Sequence, residues 1–196
     1  ILESREAAAP LLRVHLFASL IKFDHFEWML EKATESGVAR ITPVNAMRSE
    51  RGLDQAAAKR GERWRRIVRE SGQQSRRVAP PEVGELVSLR RALAQQAGLR
   101  LWLEEESGPG PILGSAPGSG DVALLCGPEG GWDDRERTEA FECGWAAVSL
   151  GPQILRAETA CLAALAVLNA HAWHSSVPTG PPQARLTESG GSPGSM

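Results

Sequence analysis

Two short apolar runs in the second half of the chain, each followed by a glycine-containing loop and then a helical pattern, constrain the fold most. The first run, residues 122–126, leads into the loop 127–131, and the second leads into the loop 150–156. Short apolar runs bounded in this way are typical of parallel strands that are buried on both faces. An α/β protein usually places its ligand at the carboxyl ends of such strands, so the two loops are predicted to share a binding site.

The rest of the sequence alternates between strand and helix patterns. Strands are predicted at residues 13–20, 38–44 and 99–103, and residues 107–120 are predicted to be a surface loop. Helices are predicted from Phe23 to a terminating glycine at Gly37, at residues 55–77, at 85–97 and at 159–170. This alternation predicts the α/β class, with a mostly parallel sheet covered by helices on both faces.

Length and composition exclude several classes of protein. With 196 residues, 42% of them hydrophobic and 23% charged, the chain has the make-up of one globular domain. No apolar run approaches the ~18 residues of a membrane helix, so no membrane partner is expected. Cys126, Cys143 and Cys161 lack metal-ligand spacing, and they predict reduced thiols in a cytoplasmic protein without a metal site.

Positive charge is concentrated between Arg48 and Arg77. That segment holds ten basic and four acidic residues, whereas the whole chain has a net charge of -2. Clustering of this kind favours a surface that contacts the phosphates of a nucleic acid. The alternative is an ordinary solvated helix face.

The glycine loops do not match the common nucleotide-binding patterns. No Gly-Lys-Ser/Thr follows residues 127–131, and the Gly-x-Gly-x-x-Gly spacing of dinucleotide sites is absent. By spacing alone the first loop could be only a tight structural turn, leading into a helix with a capping box at Asp133 and Glu136. In the second loop, Leu150 and Ile154 are apolar, which suits a pocket for a flat, partly apolar group such as adenine.

Taken together, these stretches resemble a known family. Residues 127–132 (GPEGGW) and 150–160 (LGPQILRAETA), about 20 residues apart, resemble the signature of the RsmE family. Its members are small-subunit ribosomal RNA uridine-N3 methyltransferases of the SPOUT superfamily. Further matches are residues 22–38, 41–43, 48–49, Trp64 and 74–77, so the resemblance covers roughly residues 11–172.

The resemblance implies an architecture beyond the reach of the sequence pattern. It implies a SPOUT methyltransferase domain at residues 11–174, whose C-terminal part forms a deep trefoil knot. It also implies that S-adenosylmethionine binds in the knot in a bent form, and that the protein is a homodimer with the site near the subunit interface. Residues 1–10 are interpreted as the remnant of, or linker from, a missing N-terminal PUA-like domain, and residues 175–196 as a disordered tail.

Site residues follow from the resemblance. The predicted cofactor-binding residues are Leu103, Glu104, Gly127, Pro128, Glu129, Gly130, Leu150, Gly151, Ile154 and Leu155. The predicted RNA-binding residues are Lys22, Arg48, Arg66, Arg69, Gln74 and Arg77. Arg156 is predicted to stabilise the charge that develops on the uracil, although a salt bridge to Glu158 or Glu129 is an alternative. Glu129 is predicted to accept the proton or to orient the cofactor, although a structural role is also open.

The function predicted from these features is methylation of N3 of a specific uridine in small-subunit (16S) ribosomal RNA, with S-adenosylmethionine as donor. The alternatives are a non-catalytic RNA-binding or assembly module on the same fold, or a SPOUT methyltransferase with another RNA target. The four histidines show no catalytic or metal spacing and are interpreted as surface or core residues. Trp28, Trp64 and Trp102 are predicted to lie in the core, and Trp132 is a candidate for stacking on the target base.

Overall fold

A parallel eight-stranded sheet forms the centre of the molecule, for which the computed structural model describes residues 10–106 and 108–177. The strands are β1 (Leu12–Ser19), β2 (Arg40–Asn45), β3 (Glu82–Val83), β4 (Val87–Ser88), β5 (Leu99–Leu103), β6 (Gly110–Pro111), β7 (Gly120–Cys126) and β8 (Ala146–Ser149). Their order is β3-β2-β1-β7-β5-β8-β6, with β4 also paired to β2, and the pairings are parallel. The predicted mostly parallel sheet is therefore confirmed.

Helices cover both faces of this sheet. They are α1 (Phe23–Glu35), α2 (Leu53–Ala57), α3 (Gly61–Gln74), α4 (Leu89–Leu93), α5 (Ile112–Ser115), α6 (Asp134–Glu142) and α7 (Ala157–Ser176). Residues of α1, α2, α3, α5 and α7 share one hydrophobic cluster with one face of the sheet. Residues of α4 and α6 pack in a second cluster against the other face.

The first apolar run forms β7, the strand that lies between β1 and β5. Val122, Leu124 and Cys126 point into the larger cluster, and Ala123 and Leu125 point into the smaller one. Alternate side chains of a strand point to opposite faces, so a strand buried on both faces must be apolar throughout. This explains the run, and it brings the carboxyl ends of β7, β5 and β8 side by side.

The helix predicted at residues 55–77 is wrong in its extent, because the structure has two helices there. α2 ends at Ala57 and α3 begins at Gly61. Glycine lowers helix propensity, and the neighbouring Arg60 is held at the break by a hydrogen bond to Glu27 and by its position 4.1 Å from the Phe23 ring centroid. Tertiary contacts therefore fix the break.

Two further boundaries differ from the sequence prediction. The helix predicted at residues 85–97 is confined to α4, because Val87 and Ser88 instead pair with β2 at the sheet edge, and the Ser88 side chain then caps the helix. The surface loop predicted at residues 107–120 contains β6 and α5 in its described part. Ile112 of α5 is buried, which anchors this segment to the core.

The tryptophan prediction is right for Trp64 and Trp102, which are buried, and wrong for Trp28, which is 47% exposed. The buried side of α1 is formed by Phe26, Met29, Leu30, Ala33 and Thr34, and Trp28 lies outside that stripe. In the predicted tail, residues 175 and 176 belong to α7, and residues 178–196 lie outside the described residues. Residues 1–9 of the predicted remnant also lie outside them.

Candidate functional site

A cavity of about 470 Å³ opens at the carboxyl ends of β5, β7 and β8. Three loop segments line it: residues 103–105, 126–132 except Gly130, and 149–156 except Pro152. The first residues of α1 and α7 complete the wall through Lys22, His25, Ala157, Glu158 and Ala160. The structure thus brings the two glycine loops together around one space. Of the predicted cofactor-binding residues, all but Gly130 line it.

Trp132 packs against the first loop. Its ring is buried, lies 6.4 Å from that of Trp102 in a stacked arrangement, and donates its N–H to the carbonyl oxygen of Leu103 at 2.8 Å. A Cβ atom added at Gly127 would lie 3.0 Å from the Trp132 ring. Glycine at position 127 therefore permits the loop and the indole to pack closely. This packing leaves little of the indole free to stack on a target base.

Arg48 and α6 hold the other side of the first loop. Arg48 donates from Nη1 to the carbonyl oxygen of Gly130 at 3.2 Å, and a Cβ at Gly130 would lie 3.1 Å from the Cβ of Arg48. Gly130 thus faces Arg48 and lies outside the cavity lining, which differs from its predicted role. The predicted capping box of Asp133 and Glu136 is confirmed, and Glu136 also accepts the backbone N–H of Met47 at 2.7 Å.

Glu104 stabilises the loop that follows β5. Its Oε2 accepts a hydrogen bond from Arg137 at 2.7 Å, and its Oε1 accepts the backbone N–H groups of Glu105 and Glu106 at 2.9 and 3.2 Å. Burial by itself raises the pKa of Glu104, but the Arg137 guanidinium and the backbone donors outweigh it, so the pKa lies below its ordinary value. The carboxylate predicted to bind a cofactor is therefore engaged with donors of the chain itself.

The second loop has little support of this kind. Residues 151–156 are exposed, with Ile154 at 83%, and Gly151 adopts a φ of +123° that favours glycine. Ser149 is the one side chain that donates to or accepts from the loop backbone within the described residues, through Gly151. The loop thus relies on its own short contacts.

Arg156 and Glu129 both line the cavity and are exposed. Neither side chain has a hydrogen-bond or ion-pair partner among the residues that the structure describes. The alternative salt bridge of Arg156 to Glu158 or Glu129 is therefore not formed here. Both side chains remain available to a ligand.

His25 and Glu158 form a pair in the cavity wall that the sequence reasoning missed. Nδ1 of His25 lies 3.1 Å from Oε1 of Glu158, and Glu158 is buried. The two residues are 133 positions apart, on α1 and α7, and Asn169 likewise reaches Ser36 between the same two helices. Only the side-by-side packing of these helices creates the pair, so spacing in the sequence could not indicate it.

The predicted RNA-binding residues lie in four environments. Lys22 is at the cavity, Arg48 braces the first loop, and Arg66, Arg69 and Gln74 are exposed on α3. Arg77 differs, since it is half-buried and donates to the carbonyl oxygens of Thr34 and Val38 at 3.0 and 2.8 Å. Burial lowers the pKa of Arg77. Its guanidinium stabilises the turn after α1, which leaves less of it for RNA.

Within residues 10–106 and 108–177, no cluster of three or more His, Cys, Asp or Glu side chains suits a metal ion. No helix in the same residues combines the length and apolar character that crossing a membrane requires. The three cysteines are free thiols.

Comparison with known proteins assigns the family. The model of the RNA methyltransferase domain family matches residues 7–169. The chain belongs to this family. Among curated relatives, it is 33% identical to ribosomal RNA small subunit methyltransferase E of Bacillus subtilis over 81% of this chain, and 35% identical to the Synechocystis protein of the same name over 81%. The chain spans 66% and 54% of those relatives' lengths.

Solved structures give the same family. A methyltransferase from Legionella pneumophila in complex with the cofactor SAM is 33% identical, with a TM-score of 0.74 over 82% of this chain and 66% of its own. Ribosomal RNA small subunit methyltransferase E from Neisseria gonorrhoeae, bound to S-adenosyl methionine, is 35% identical, with a TM-score of 0.71 over the same shares. The resemblance read from the two loop motifs is therefore confirmed at the level of family and fold class.

Proposed function

We propose that this RNA methyltransferase-family chain methylates N3 of a uridine in small-subunit ribosomal RNA, with S-adenosylmethionine as the methyl donor. The observation that carries the proposal is the cavity enclosed by three loops at the carboxyl ends of β5, β7 and β8. Support comes from relatives named for the small-subunit ribosomal RNA and from similar structures that hold this cofactor.

The residues present fit S-adenosylmethionine. A cavity of about 470 Å³ lies in the usual range for small-molecule sites. Leu103, Leu150 and Leu155 supply apolar walls for an adenine ring, and the exposed backbone of the second loop offers N–H and C=O groups to its edges. When bound, the cofactor supplies a methyl group on a positively charged sulfur, which is open to attack by a nucleophile.

Arg156 is proposed to stabilise the negative charge that uracil develops as N3 loses its proton. It lies on the cavity wall at the start of α7, it is free of ion pairs within the described residues, and a guanidinium stays charged at every working pH. Glu129 is proposed to orient the cofactor, because an exposed carboxylate on the first loop can accept hydrogen bonds from it.

The RNA is proposed to cross the exposed face of α3. Arg65 and Arg69 of α3, and Lys59 just before it, are exposed and form no ion pair among the described residues. Arg60 and Arg63, by contrast, are paired with Glu27. The predicted net positive charge is thus partly neutralised by α1, and we expect Arg69 to contribute more to RNA binding than Arg63.

A homodimer is proposed on the outer face of α7. The exposed residues of α7 include Ala166, Ala170 and Trp173, the last of them 68% exposed, and Trp28 of α1 lies outside the packed stripe of its own helix. Exposed apolar surface of this kind commonly marks an interface. The trefoil knot and a cytoplasmic location, where ribosomal RNA is processed, belong to the same proposal.

Calorimetry with S-adenosylhomocysteine and analysis of nucleosides from treated ribosomal RNA test the function. We expect binding in the micromolar range and N3-methyluridine as the product. A folded chain that does not bind S-adenosylhomocysteine would contradict the proposal. Another methylated nucleoside would keep the enzyme but change its target.

The assembly-module alternative predicts salt-dependent RNA binding without methyl transfer. Arg69→Gln should then weaken RNA binding, whereas Arg156→Gln should leave it unchanged. Under the methyltransferase proposal, Arg156→Gln should lower kcat by roughly 100-fold. Sedimentation of the full chain reports whether it is dimeric.

A further inference from the structure

Glu158 is a buried carboxylate of the cavity wall whose hydrogen bonds are incomplete. It lies in the first turn of α7 and is 7% exposed. Its Oε1 meets His25, while its Oε2 is buried without a hydrogen-bond partner among the described residues. A carboxylate oxygen removed from water without a donor costs free energy. Oε2 is closed to water in this structure, so a donor in the cavity reaches it after a small movement of the Glu158 side chain, and catalytic hydrogen bonds commonly tighten when substrate binds.

The proposed reaction brings a donor of the right kind. N3 of uracil carries a hydrogen, and that hydrogen must leave as N3 attacks the methyl group. Glu158 suits the role of proton acceptor better than the other charged residues named at this site. Glu129 is exposed and therefore solvated, and Arg156 carries no lone pair to accept a proton. A carboxylate already held in the wall needs little reorganisation when the substrate arrives.

His25 fixes the orientation of that carboxylate. With Nδ1 protonated, the ring donates to Oε1, which leaves Oε2 for the substrate. The His25 side chain is 31% exposed, and its Nε2 lies 3.7 Å from Oδ2 of the exposed Asp24. The ring thus lies between the carboxylates of Glu158 and Asp24, which holds it in place.

Resting on the function proposed above, we propose that Glu158 is a catalytic residue that accepts the N3 proton of the target uracil, with His25 as its positioning residue. The N3–H bond breaks and its proton passes to Oε2 of Glu158. The N3 electron pair forms the bond to the methyl carbon, and the methyl–sulfur bond breaks with its electrons on sulfur. After the methylated product has left, Glu158 returns the proton to solvent.

Other charges near the pair bear on its pH dependence. The titratable and charged groups that line the same cavity are Lys22, Glu104, Glu105, Cys126, Glu129 and Arg156. Glu104 is bound to Arg137, and the Cys126 thiol has its pKa raised by burial and stays protonated. A pH step in the rate that disappears with Glu158 alone therefore identifies the acceptor.

The central test is Glu158→Gln, which keeps the shape and removes the ability to take a proton. We expect kcat to fall by roughly 100-fold to 10,000-fold, the usual size of general-base catalysis. Affinity for S-adenosylhomocysteine and the KM for RNA should stay within about threefold of wild type. Glu142→Gln, an exposed carboxylate on α6, is the matched control and should leave all three unchanged.

The pH profile separates catalysis from structure. Wild-type kcat should rise with pH to a plateau, and Glu158→Gln should lack that step. His25→Gln should lower kcat by about tenfold and displace the step, with little change in KM. If the His25–Glu158 pair were only structural, variants of it would lower the stability and leave the pH profile of kcat unchanged. If Glu158→Gln does not fold, the kcat and pH profile of His25→Gln test the proposal instead.

Three results would overturn the proposal. The first is a Glu158→Gln variant with the kcat and pH profile of the wild type. The second is a folded Glu158→Gln variant that no longer binds S-adenosylhomocysteine, which would make Glu158 a cofactor ligand.

The third result comes from RNA binding, and it is measured if the wild-type chain binds S-adenosylhomocysteine but shows no turnover. A uridine oligonucleotide should then bind about tenfold tighter than its N3-methyluridine counterpart, and Glu158→Leu should remove that preference. If Glu158→Leu keeps the preference for the uridine oligonucleotide, the assignment of Glu158 as the proton acceptor is overturned. Failure of the wild type to bind S-adenosylhomocysteine is the separate failure of the proposed function.

Discussion

The two glycine loops that meet at the cavity look alike in sequence but are held very differently. The first loop, residues 127–131, is supported by Trp132, by Arg48 and by the capped start of α6. The second loop, residues 150–156, has mostly exposed residues and no side-chain hydrogen bond from a distant described element. The first loop is thus preformed, and we expect the second to become ordered around a ligand or a partner subunit.

The position of each strand explains this difference. β7 lies in the middle of the sheet, so its loop has neighbours on both sides, including the segment after β2. β8 is followed across the sheet only by the two-residue β6, so fewer elements can reach its loop. Glycine and apolar flanking residues indicate that a loop can approach a ligand closely. The neighbouring elements decide whether the loop holds its conformation before the ligand binds.

Trp132→Ala should produce the largest effect on the first loop. The change removes a buried indole and its hydrogen bond to Leu103, and we expect the free energy of unfolding to fall by about 3–5 kcal/mol. Urea unfolding measures it. Phe141→Ala is the control, because Phe141 is 78% exposed, and its change should stay within about 0.5 kcal/mol. Equal losses in the two variants would show that the indole does not support the loop.

Arg137→Met should cost about 3 kcal/mol at pH 7, because it leaves Glu104 buried without its partner. The pKa of Glu104 in the folded chain lies below its ordinary value of 4.5. Its contribution is therefore complete above about pH 4.5 and is lost as the pH falls through the folded-state pKa. The difference between wild type and variant should shrink in acid. Arg66→Met, which breaks an exposed 3.9 Å pair, should cost less than about 0.5 kcal/mol at either pH.

Gly127→Ala should weaken S-adenosylhomocysteine binding by about tenfold, because the new Cβ lies 3.0 Å from the Trp132 ring and must displace the loop or the indole. Calorimetry measures the affinity. Gly114→Ala adds the same atom where nothing lies within 4 Å, so it should bind normally. Normal binding in both variants would mean that the close packing at Gly127 is not needed.

Ile154→Ala should have the smallest effect on the fold. Ile154 is 83% exposed, so the free energy of unfolding should change by less than about 0.5 kcal/mol, while S-adenosylhomocysteine affinity should fall about threefold to tenfold. In wild type, the ligand should slow hydrogen exchange at residues 150–156 more than at 127–131. Equal slowing in the two loops would remove the contrast between them.

Sequence patterns predicted the fold class well and the boundaries less well. The apolar run of β7 and the capping box of α6 are local signals, and both are found as predicted. The break before Gly61 and the shortened α4 were missed, because an arginine bound to α1 and an edge pairing with β2 decide them. Trp28 was misplaced because a single aromatic residue does not reveal which side of a helix packs.

The loop motifs predicted a shared binding site, because parallel strands bring their carboxyl ends to one edge of a sheet, and the cavity lies at that edge. They also carried the family resemblance. Only the tertiary structure showed that Gly130 faces Arg48, that Glu104 is engaged with Arg137, and that His25 meets Glu158. Each of these contacts joins elements far apart in the chain, and no local pattern encodes a distance that packing alone determines.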